Sequence, residues 1–275
     1  MQDKISLAGD LGSGKSTVSK ILIEALGAEY YHTGGIVRAV AEKHGMTVGE
    51  LNVYMETHPE IDNEIDDGLR ALSEVDKLLI IDSRLAWHFT SGTFKIYLST
   101  DIETSALRIM CANRVGEHAA SLSETVAQTR ARRASEKKRY MELYGVNIKD
   151  LSNYDLIVDT TYATPDEVAE VIINAFRAWQ TDKSYRAVYI CPERLNMHDE
   201  AADSERVAAC ASCLDSGLDI PTVTVSECDG EFYIRDGEES ALAYAFNMNT
   251  FIPASLVEYT GNEEKEKFVK IKNSL

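Results

Sequence analysis

Short apolar runs alternate with helical patterns of apolar and polar residues along the first two thirds of the chain. The run ISLA at residues 5–8 has the character of a buried strand, and residues 15–26 place apolar side chains on one helical face before Gly27 ends the pattern. Two further apolar runs, KLLIID at 77–82 and TFKIYLST at 93–100, predict two more strands. Strands that alternate with helices predict an α/β fold, with a parallel sheet covered by helices.

The segment between the first predicted strand and the first predicted helix is GDLGSGKS. Its spacing is that of the P-loop, in which backbone N–H groups and a helix N-terminus hold phosphate. We expect Lys15 to contact the β- and γ-phosphates and Ser16 to give its hydroxyl to Mg²⁺. The predicted ligand is therefore a nucleoside triphosphate with Mg²⁺, and the residues predicted to bind it are Gly9, Gly12, Ser13, Gly14, Lys15, Ser16 and Thr17.

Charged residues follow the predicted strands. Asp82 and Arg84 come at the end of the strand at 77–82, and Arg38 follows a glycine pair earlier in the chain. Loops at the carboxyl ends of parallel strands open toward one crevice. We therefore expect Asp82 and Arg84 to converge with Lys15, on the side where a phosphate acceptor would bind.

A basic helix is predicted over residues 122–143, with the sequence LSETVAQTRARRASEKKRYMEL. Arg132, Glu136 and Arg139 share one of its faces, because they follow i, i+4, i+7 spacing. One interpretation is a solvated charged face, which is the usual role of such a helix. In a P-loop protein a second interpretation is favoured, in which Arg132 and Arg139 act on the transferring phosphate and closure of the helix excludes water.

Residues 4–177 resemble the cytidylate kinase family, most closely its compact archaeal-type branch. The resemblance rests on GDLGSGKSTVSK, TGGIVRAVAEKHGMTVGELN, HPEIDNEID, IIDSRLAW, RARRASEKKRYMELYGVNIKDLSNYDLIVDTT and PDEVAEVIINAF. It implies a kinase that transfers the γ-phosphate of ATP to CMP or dCMP. It also implies that Arg38 and Arg84 hold the acceptor monophosphate. Arg132 and Arg139 would line the lid and substrate side, with Glu136 near the nucleoside.

Two segments differ from the family pattern. Asp10 stands in the P-loop where the family usually has a small residue or proline, and DSRLAWHF at 82–89 lacks the usual glycine beside the acceptor arginine. A negative charge at Asp10 would oppose nucleotide binding unless the side chain turns outward. Nucleotide affinity and base preference therefore stay open at this point.

The pattern changes near residue 180. The stretch WQTDKSYR at 179–186 is polar and typical of a linker, so we expect a P-loop domain at 1–182, a second domain at 183–260 and a mobile charged tail at 261–275. Residues 186–259 resemble the ParB/sulfiredoxin-like fold, a smaller α+β domain, in the order of their elements and in Asp236-Gly237. Nucleotide-using members of that family have arginine or histidine directly after this glycine, whereas Glu238, Glu239 and Ser240 follow it here.

The second domain is acidic. Residues 184–275 contain 8 basic and 17 acidic residues, a net charge of −9. Because DNA affinity depends on cations that neutralise phosphates, we expect this domain not to bind DNA. We interpret it as a non-catalytic module that regulates the kinase or binds a protein partner. A chain that ends near Asp182 would then fold and keep its acceptor specificity.

The sequence has no apolar window of the length of a membrane span and no signal-peptide pattern, and its five cysteines are scattered. We therefore expect a cytoplasmic protein with reduced cysteines and no membrane association. Three functions stay open. They are a CMP or dCMP kinase, a kinase for a modified pyrimidine nucleotide that is free or within DNA, and a nucleotide-sensing adaptor without turnover.

Overall fold

The computed structural model describes residues 2–55, 57–112, 121–198, 202–261 and 267–273. The chain divides into two compact units, of which the first comprises Met1–Leu156 and Pro165–Arg186, and the second comprises Ile157–Thr164 and Ala187–Leu275. The boundary between the units therefore crosses the chain more than once. The segment Ile157–Thr164 belongs to the second unit, although the residues before and after it in the sequence belong to the first.

The first unit is built on a parallel sheet. Its strands are β1 (Lys4–Gly9), β2 (Glu29–His32), β3 (Leu79–Asp82) and β4 (Thr93–Ser99), in the order β4-β1-β3-β2. Ile5 lies opposite Ile80 on one side and Phe94 on the other, and all three are fully buried. The inner strands are apolar along their length because both faces of the sheet are covered. This confirms the predicted α/β fold with a parallel sheet.

The helices of the first unit position the loops at the strand ends. They are α1 (Lys15–Leu26), α2 (Thr33–Lys43), α3 (Val48–Met55), α4 (Pro59–Ala71), α5 (Ala86–Phe89), α6 (Ile102–Cys111), α7 (Leu122–Tyr144) and α8 (Pro165–Thr181). α1 has the predicted bounds and ends at Gly27, whose φ of 63° favours glycine. Among the described helices, none has the length and apolar character needed to cross a membrane.

Within its described residues, the second unit contains a mixed sheet and two α-helices. A strand β5 (Leu156–Asp159) starts at the last residue of the first stretch, and its remaining residues belong to this unit. The other elements are β6 (Ala187–Ile190), β7 (Leu195–His198), α9 (Ser204–Asp215), β8 (Val223–Cys228), β9 (Glu231–Asp236), α10 (Glu238–Phe246), β10 (Ile252–Val257) and β11 (Phe268–Lys270). The strands pair in the order β11-β7-β9-β8-β10-β6.

Three segments differ from the sequence-based expectations. β2 was not predicted, because this edge strand has exposed or half-buried residues and no apolar alternation. The segment expected as a linker begins inside α8, where Trp179 packs against Phe94 with ring centroids 5.4 Å apart. The segment expected as a mobile tail contains β11, which pairs with β7, and Ile271, which is fully buried.

Candidate active site

The P-loop joins β1 to α1 through glycines that pack on neighbouring backbone. A Cβ atom at Gly9 would lie 2.4 Å from the carbonyl oxygen of Leu98, and one at Gly12 would lie 2.6 Å from that of Ser105. Gly14 precedes α1 with a φ of 83° and no side-chain cap. An uncapped helix N-terminus has N–H groups to offer an anion, so the local geometry has the form of a phosphate cradle.

Lys15 lies over the P-loop. Its Nζ donates to the carbonyl oxygens of Asp10 (2.7 Å) and Gly9 (3.1 Å). Burial, together with the charge of Arg84, lowers the pKa of Lys15 to about 8, although Asp82 opposes the change. Because its hydrogen bonds go to neutral carbonyl oxygens, a phosphate placed at the loop would be a stronger partner for this ammonium group.

Asp10 does not turn outward. Its buried carboxylate accepts hydrogen bonds from the Tyr97 hydroxyl (3.0 Å) and the Thr100 N–H (3.1 Å), pairs with Lys149 and lies 3.6 Å from the Arg133 guanidinium. Burial alone would raise the pKa of Asp10, but Lys149 and Arg133 lower it to about 2. The acidic residue is thus ionised and neutralised inside the protein, which removes the objection that its charge would repel phosphate.

One carboxylate joins two arginines that come from different elements. Arg84, which follows β3, places Nε 2.5 Å from Oε2 of Glu136, and Arg132 places Nε 3.2 Å from the other oxygen. Glu136 is buried, which by itself would raise its pKa, yet Arg84 and Arg132 hold that pKa below its usual range. The loop after β3 therefore meets α7 at a charged cluster, and the charges of Arg84 and Glu136 in this cluster also act on the pKa of Lys15.

Arg139 lies on the same helix but faces α4. It is buried, with Nε 3.6 Å from Oδ1 of Asp62 and its guanidinium 5.0 Å from the ring centre of Tyr140. Its charge also acts on Glu136, so it remains electrostatically part of the cluster. The structure brings Arg132 and Glu136 into direct contact and places Arg139 toward the interior.

Two predicted acceptor residues lie toward the sheet edge. Asp82 at the end of β3 accepts a hydrogen bond from the Tyr30 hydroxyl (3.0 Å). Arg38 is exposed on α2. Burial and Asp82 raise the pKa of Tyr30, and Arg38 opposes them, so Arg38 lies near this pair. The predicted ATP-side residues Ser16 and Thr17 are exposed in the first turn of α1, while Ser13 is buried and donates to the carbonyl oxygen of Asp10.

Sequence reasoning missed three residues of this region. Lys149 and Tyr97 contact Asp10, and Asp62 contacts Arg139. Tyr97 stands in a strand pattern and carries no local signal of its role, whereas Lys149 lies in a loop within the motif RARRASEKKRYMELYGVNIKDLSNYDLIVDTT. Asp62 lies within the HPEIDNEID motif, and its place in that motif is the one sequence signal that points to it.

Comparison with known proteins identifies the family to which most of the first unit belongs. The model of the cytidylate kinase-like family matches residues 4–162, which is more than half of the chain. The chain belongs to the cytidylate kinase-like family. It is 38% identical over 175 residues to the cytidylate kinase of Thermoplasma volcanium, a match that covers 62% of this chain and 90% of that protein. The expected family is thereby confirmed, and the first unit is a kinase-like, nucleotide-binding domain.

Two other similarities complete the comparison. The S-adenosylmethionine-dependent nucleotide dehydratase of Lacinutrix mariniflava is 37% identical over 181 residues, which cover 64% of this chain and 36% of that protein. The shikimate kinase of Bacteroides thetaiotaomicron superposes with a TM-score of 0.45 and 14% identity, covering 64% of this chain and 98% of that one. The match to the cytidylate kinase-like family ends within the segment that joins β5 to α8.

Proposed function

We propose that this protein transfers the γ-phosphate of ATP to CMP or dCMP. The observation that supports it most directly is the cluster in which Arg84 and Arg132 share Glu136 within the electrostatic reach of Lys15. Phosphoryl transfer depends on cations that surround the transferring phosphate and hold donor and acceptor in line. Membership in the cytidylate kinase-like family favours a cytidine acceptor.

We propose a role for each residue of the site, with the geometry as support. Lys15 exchanges its carbonyl partners for the β- and γ-phosphates of ATP, held by Gly9, Gly12, Ser13, Gly14, Ser16 and Thr17. Arg84 and Arg38 hold the acceptor phosphate, for which a guanidinium offers two parallel hydrogen bonds. Arg132 neutralises charge on the transferring group, and Arg139, which is buried against Asp62, adds positive charge near Glu136. Glu136 keeps Arg84 and Arg132 oriented and lies near the acceptor nucleoside.

Ser16 fits a role as a ligand of Mg²⁺. Its hydroxyl is exposed in the first turn of α1, and Mg²⁺ prefers hard oxygen ligands together with the phosphates of its nucleotide. Within the described residues, no group of three or more His, Cys, Asp or Glu side chains could hold a metal ion without such help. Mg²⁺ would neutralise phosphate charge during transfer.

An acceptor screen tests the proposal. ADP release from ATP is followed with CMP, dCMP, UMP, AMP and GMP, and we expect turnover with the two cytidine nucleotides. Absence of turnover with these five acceptors, while ATP still binds, would contradict the CMP or dCMP kinase function. If the altered nucleotides and the DNA described below were also not phosphorylated, a nucleotide-sensing adaptor would be favoured.

Replacement of Lys15 by Ala provides the matched test of the site. We expect loss of transfer by about a hundredfold or more, because the side chain acts on phosphate charge rather than on packing. Lys20→Ala, an exposed position on the same helix, is the control and should retain activity. Thermal unfolding should show that both variants are folded. Near-normal turnover of a folded Lys15→Ala variant would contradict the assignment.

A second candidate acceptor is a modified pyrimidine nucleotide, free or within DNA. The similarity to a protein named as a nucleotide dehydratase keeps the identity of the acceptor nucleotide open, because the relatives of this chain do not all carry the name of a cytidylate kinase. The same ADP assay, with monophosphates altered at the base or the sugar and with a short single-stranded DNA, distinguishes this candidate. Faster turnover with an altered nucleotide than with CMP would favour it.

We also propose that the second domain has a ParB/sulfiredoxin-like fold and that it is non-catalytic. Support comes from the first turn of α10, where Glu238 accepts hydrogen bonds from the His198 N–H (2.9 Å) and Nδ1 (2.7 Å), and Glu239 pairs with Arg206. The carboxylates of Glu238 and Glu239 thus occupy the positions at which a phosphate site would need cations. DNA binding is not expected, and a protein partner is. Salt-dependent retardation of DNA by the full chain would contradict this role.

A further inference from the structure

Asp62 is a buried carboxylate with an unused oxygen. The residue is 4% exposed, and among the described residues Oδ2 has no hydrogen-bond partner. The other oxygen, Oδ1, lies 3.6 Å from Nε of Arg139. A buried acceptor without a partner is unfavourable in the free protein, so such an atom is a candidate to bind a ligand that brings its own donor.

The surroundings of Asp62 connect it to the proposed acceptor site. Arg139 acts on Glu136, which contacts Arg84. Burial raises the pKa of Asp62 to about 6, with Asp66 adding to the rise and Arg139 opposing it. Tyr144 also faces this region, but its hydroxyl is engaged by Asp66. Near neutral pH Asp62 is therefore mainly an ionised acceptor beside the arginine cluster.

We propose that Oδ2 of Asp62 accepts a hydrogen bond from the exocyclic amino group of the acceptor base and thereby selects cytosine over uracil. The proposal rests on the kinase function given above. Cytosine presents an N–H donor at its fourth ring position, whereas uracil presents only a carbonyl oxygen there. A carboxylate that faces a carbonyl oxygen places two acceptors against each other, which penalises uracil. A metal ion is a poorer occupant, because the Arg139 guanidinium already supplies positive charge at this carboxylate.

The test compares kcat/KM for CMP with kcat/KM for UMP at pH 7.5. In Asp62→Asn we expect the CMP preference to fall roughly ten- to a hundredfold, because an amide can donate to the uracil oxygen. Asp67→Asn is the control, since Asp67 is exposed and pairs with Arg70 on the same helix. It should leave the preference unchanged. An equal loss on both acceptors, or an unchanged preference, would assign Asp62 to positioning Arg139 and overturn the proposal.

A second measurement does not depend on the folding of a variant. The wild-type protein is assayed with the pyrimidinone ribonucleotide that carries hydrogen in place of the 4-amino group. We expect its kcat/KM to fall by a similar factor relative to CMP, and equal use of the two nucleotides would overturn the proposal. If the wild-type protein phosphorylates no pyrimidine monophosphate, the kinase function itself is wrong. If it phosphorylates CMP without these differences, only the role of Asp62 is wrong.

Discussion

Asp10 and Lys149 are distant in sequence, yet they form an ion pair under the P-loop. The carboxylate of Asp10 also accepts hydrogen bonds from Tyr97 and Thr100 and lies close to the guanidinium of Arg133. A buried carboxylate requires such partners, because an uncompensated charge in the interior is strongly unfavourable. At the scale of single residues, the unusual P-loop acid is thus a structural anchor of the loop that is expected to bind ATP.

Lys149→Met tests this anchor. We expect it to lower the free energy of unfolding by about 3 kcal/mol, since it leaves Asp10 with fewer compensating groups. Lys77→Met is the control, because Lys77 and its partner Glu29 are each 60% exposed, and it should cost no more than about 1 kcal/mol. Urea unfolding at pH 7 measures both. Equal losses in the two variants would contradict the anchor.

The same pair predicts a pH dependence. The pKa of Asp10 falls to about 2 in the folded protein, below the value of about 4 expected for an unfolded chain. A depressed folded-state pKa contributes stability that is present above the unfolded value and lost as the pH falls from about 4 toward 2. Lys149→Met should therefore lose less stability than the wild type over that range.

At the scale of elements, the P-loop and α7 are held by packing as well as by charge. Gly12 has a φ of 71° and packs against the backbone carbonyl of Ser105 in α6. The hydroxyl of Ser105 donates a hydrogen bond to the carbonyl oxygen of Leu11 and accepts one from Arg133 of α7. The phosphate loop, α6 and the basic helix are therefore physically connected. We therefore expect a change in the backbone of this loop to change the affinity for ATP.

Gly12→Ala separates contact from backbone strain. Gly27 has a similar φ of 63°, but nothing lies within 4 Å of a Cβ atom there, so Gly27→Ala carries only the cost of the left-handed backbone. That cost is about 1–2 kcal/mol. We expect Gly12→Ala to be less stable than Gly27→Ala and to lose ATP affinity, as measured by thermal unfolding and ATP titration. Equal stability with unchanged ATP affinity would show that the loop can shift away from Ser105.

At the scale of the whole molecule, the boundary between the units does not follow the chain. Asp159 at the end of β5 is fully buried in the second unit, 3.5 Å from Nε of Arg194, and it accepts from the Cys191 N–H at 3.3 Å. Burial raises the pKa of Asp159, and Arg194 opposes the rise. Cutting the chain near residue 182 removes both partners. We therefore propose that such a truncated protein is less stable than the sequence led us to expect.

Arg194→Met in the full-length chain tests this boundary. We expect a loss of about 3–5 kcal/mol in the free energy of unfolding, because the substitution leaves Asp159 buried without its ion-pair partner. Arg206→Met is the control, since Arg206 is 68% exposed in its pair with Glu239. Urea unfolding followed by tryptophan fluorescence and circular dichroism measures both variants. A loss at Arg194 no larger than at Arg206 would contradict the argument.

The sequence by itself determined the features that depend on neighbouring residues. The P-loop with its strand and helix, the parallel α/β fold, the common face of Arg132 and Glu136, and the family all follow from local spacing and motif. Turn chemistry and helical periodicity act within a few residues, so they leave a pattern that can be read without a structure.

Only the tertiary structure decided which distant residues meet. The partner of Asp10 comes from a loop more than a hundred residues away, β11 pairs with a strand far upstream, and the unused oxygen of Asp62 is evident only once α4 lies against α7. Such contacts arise from the packing of whole elements, and a single side chain in one element carries no periodic trace of its partner in another. Burial and the charged partners that packing brings close together decide the ionisation of these acids, because both act through the surrounding protein rather than through the neighbouring residues in the chain.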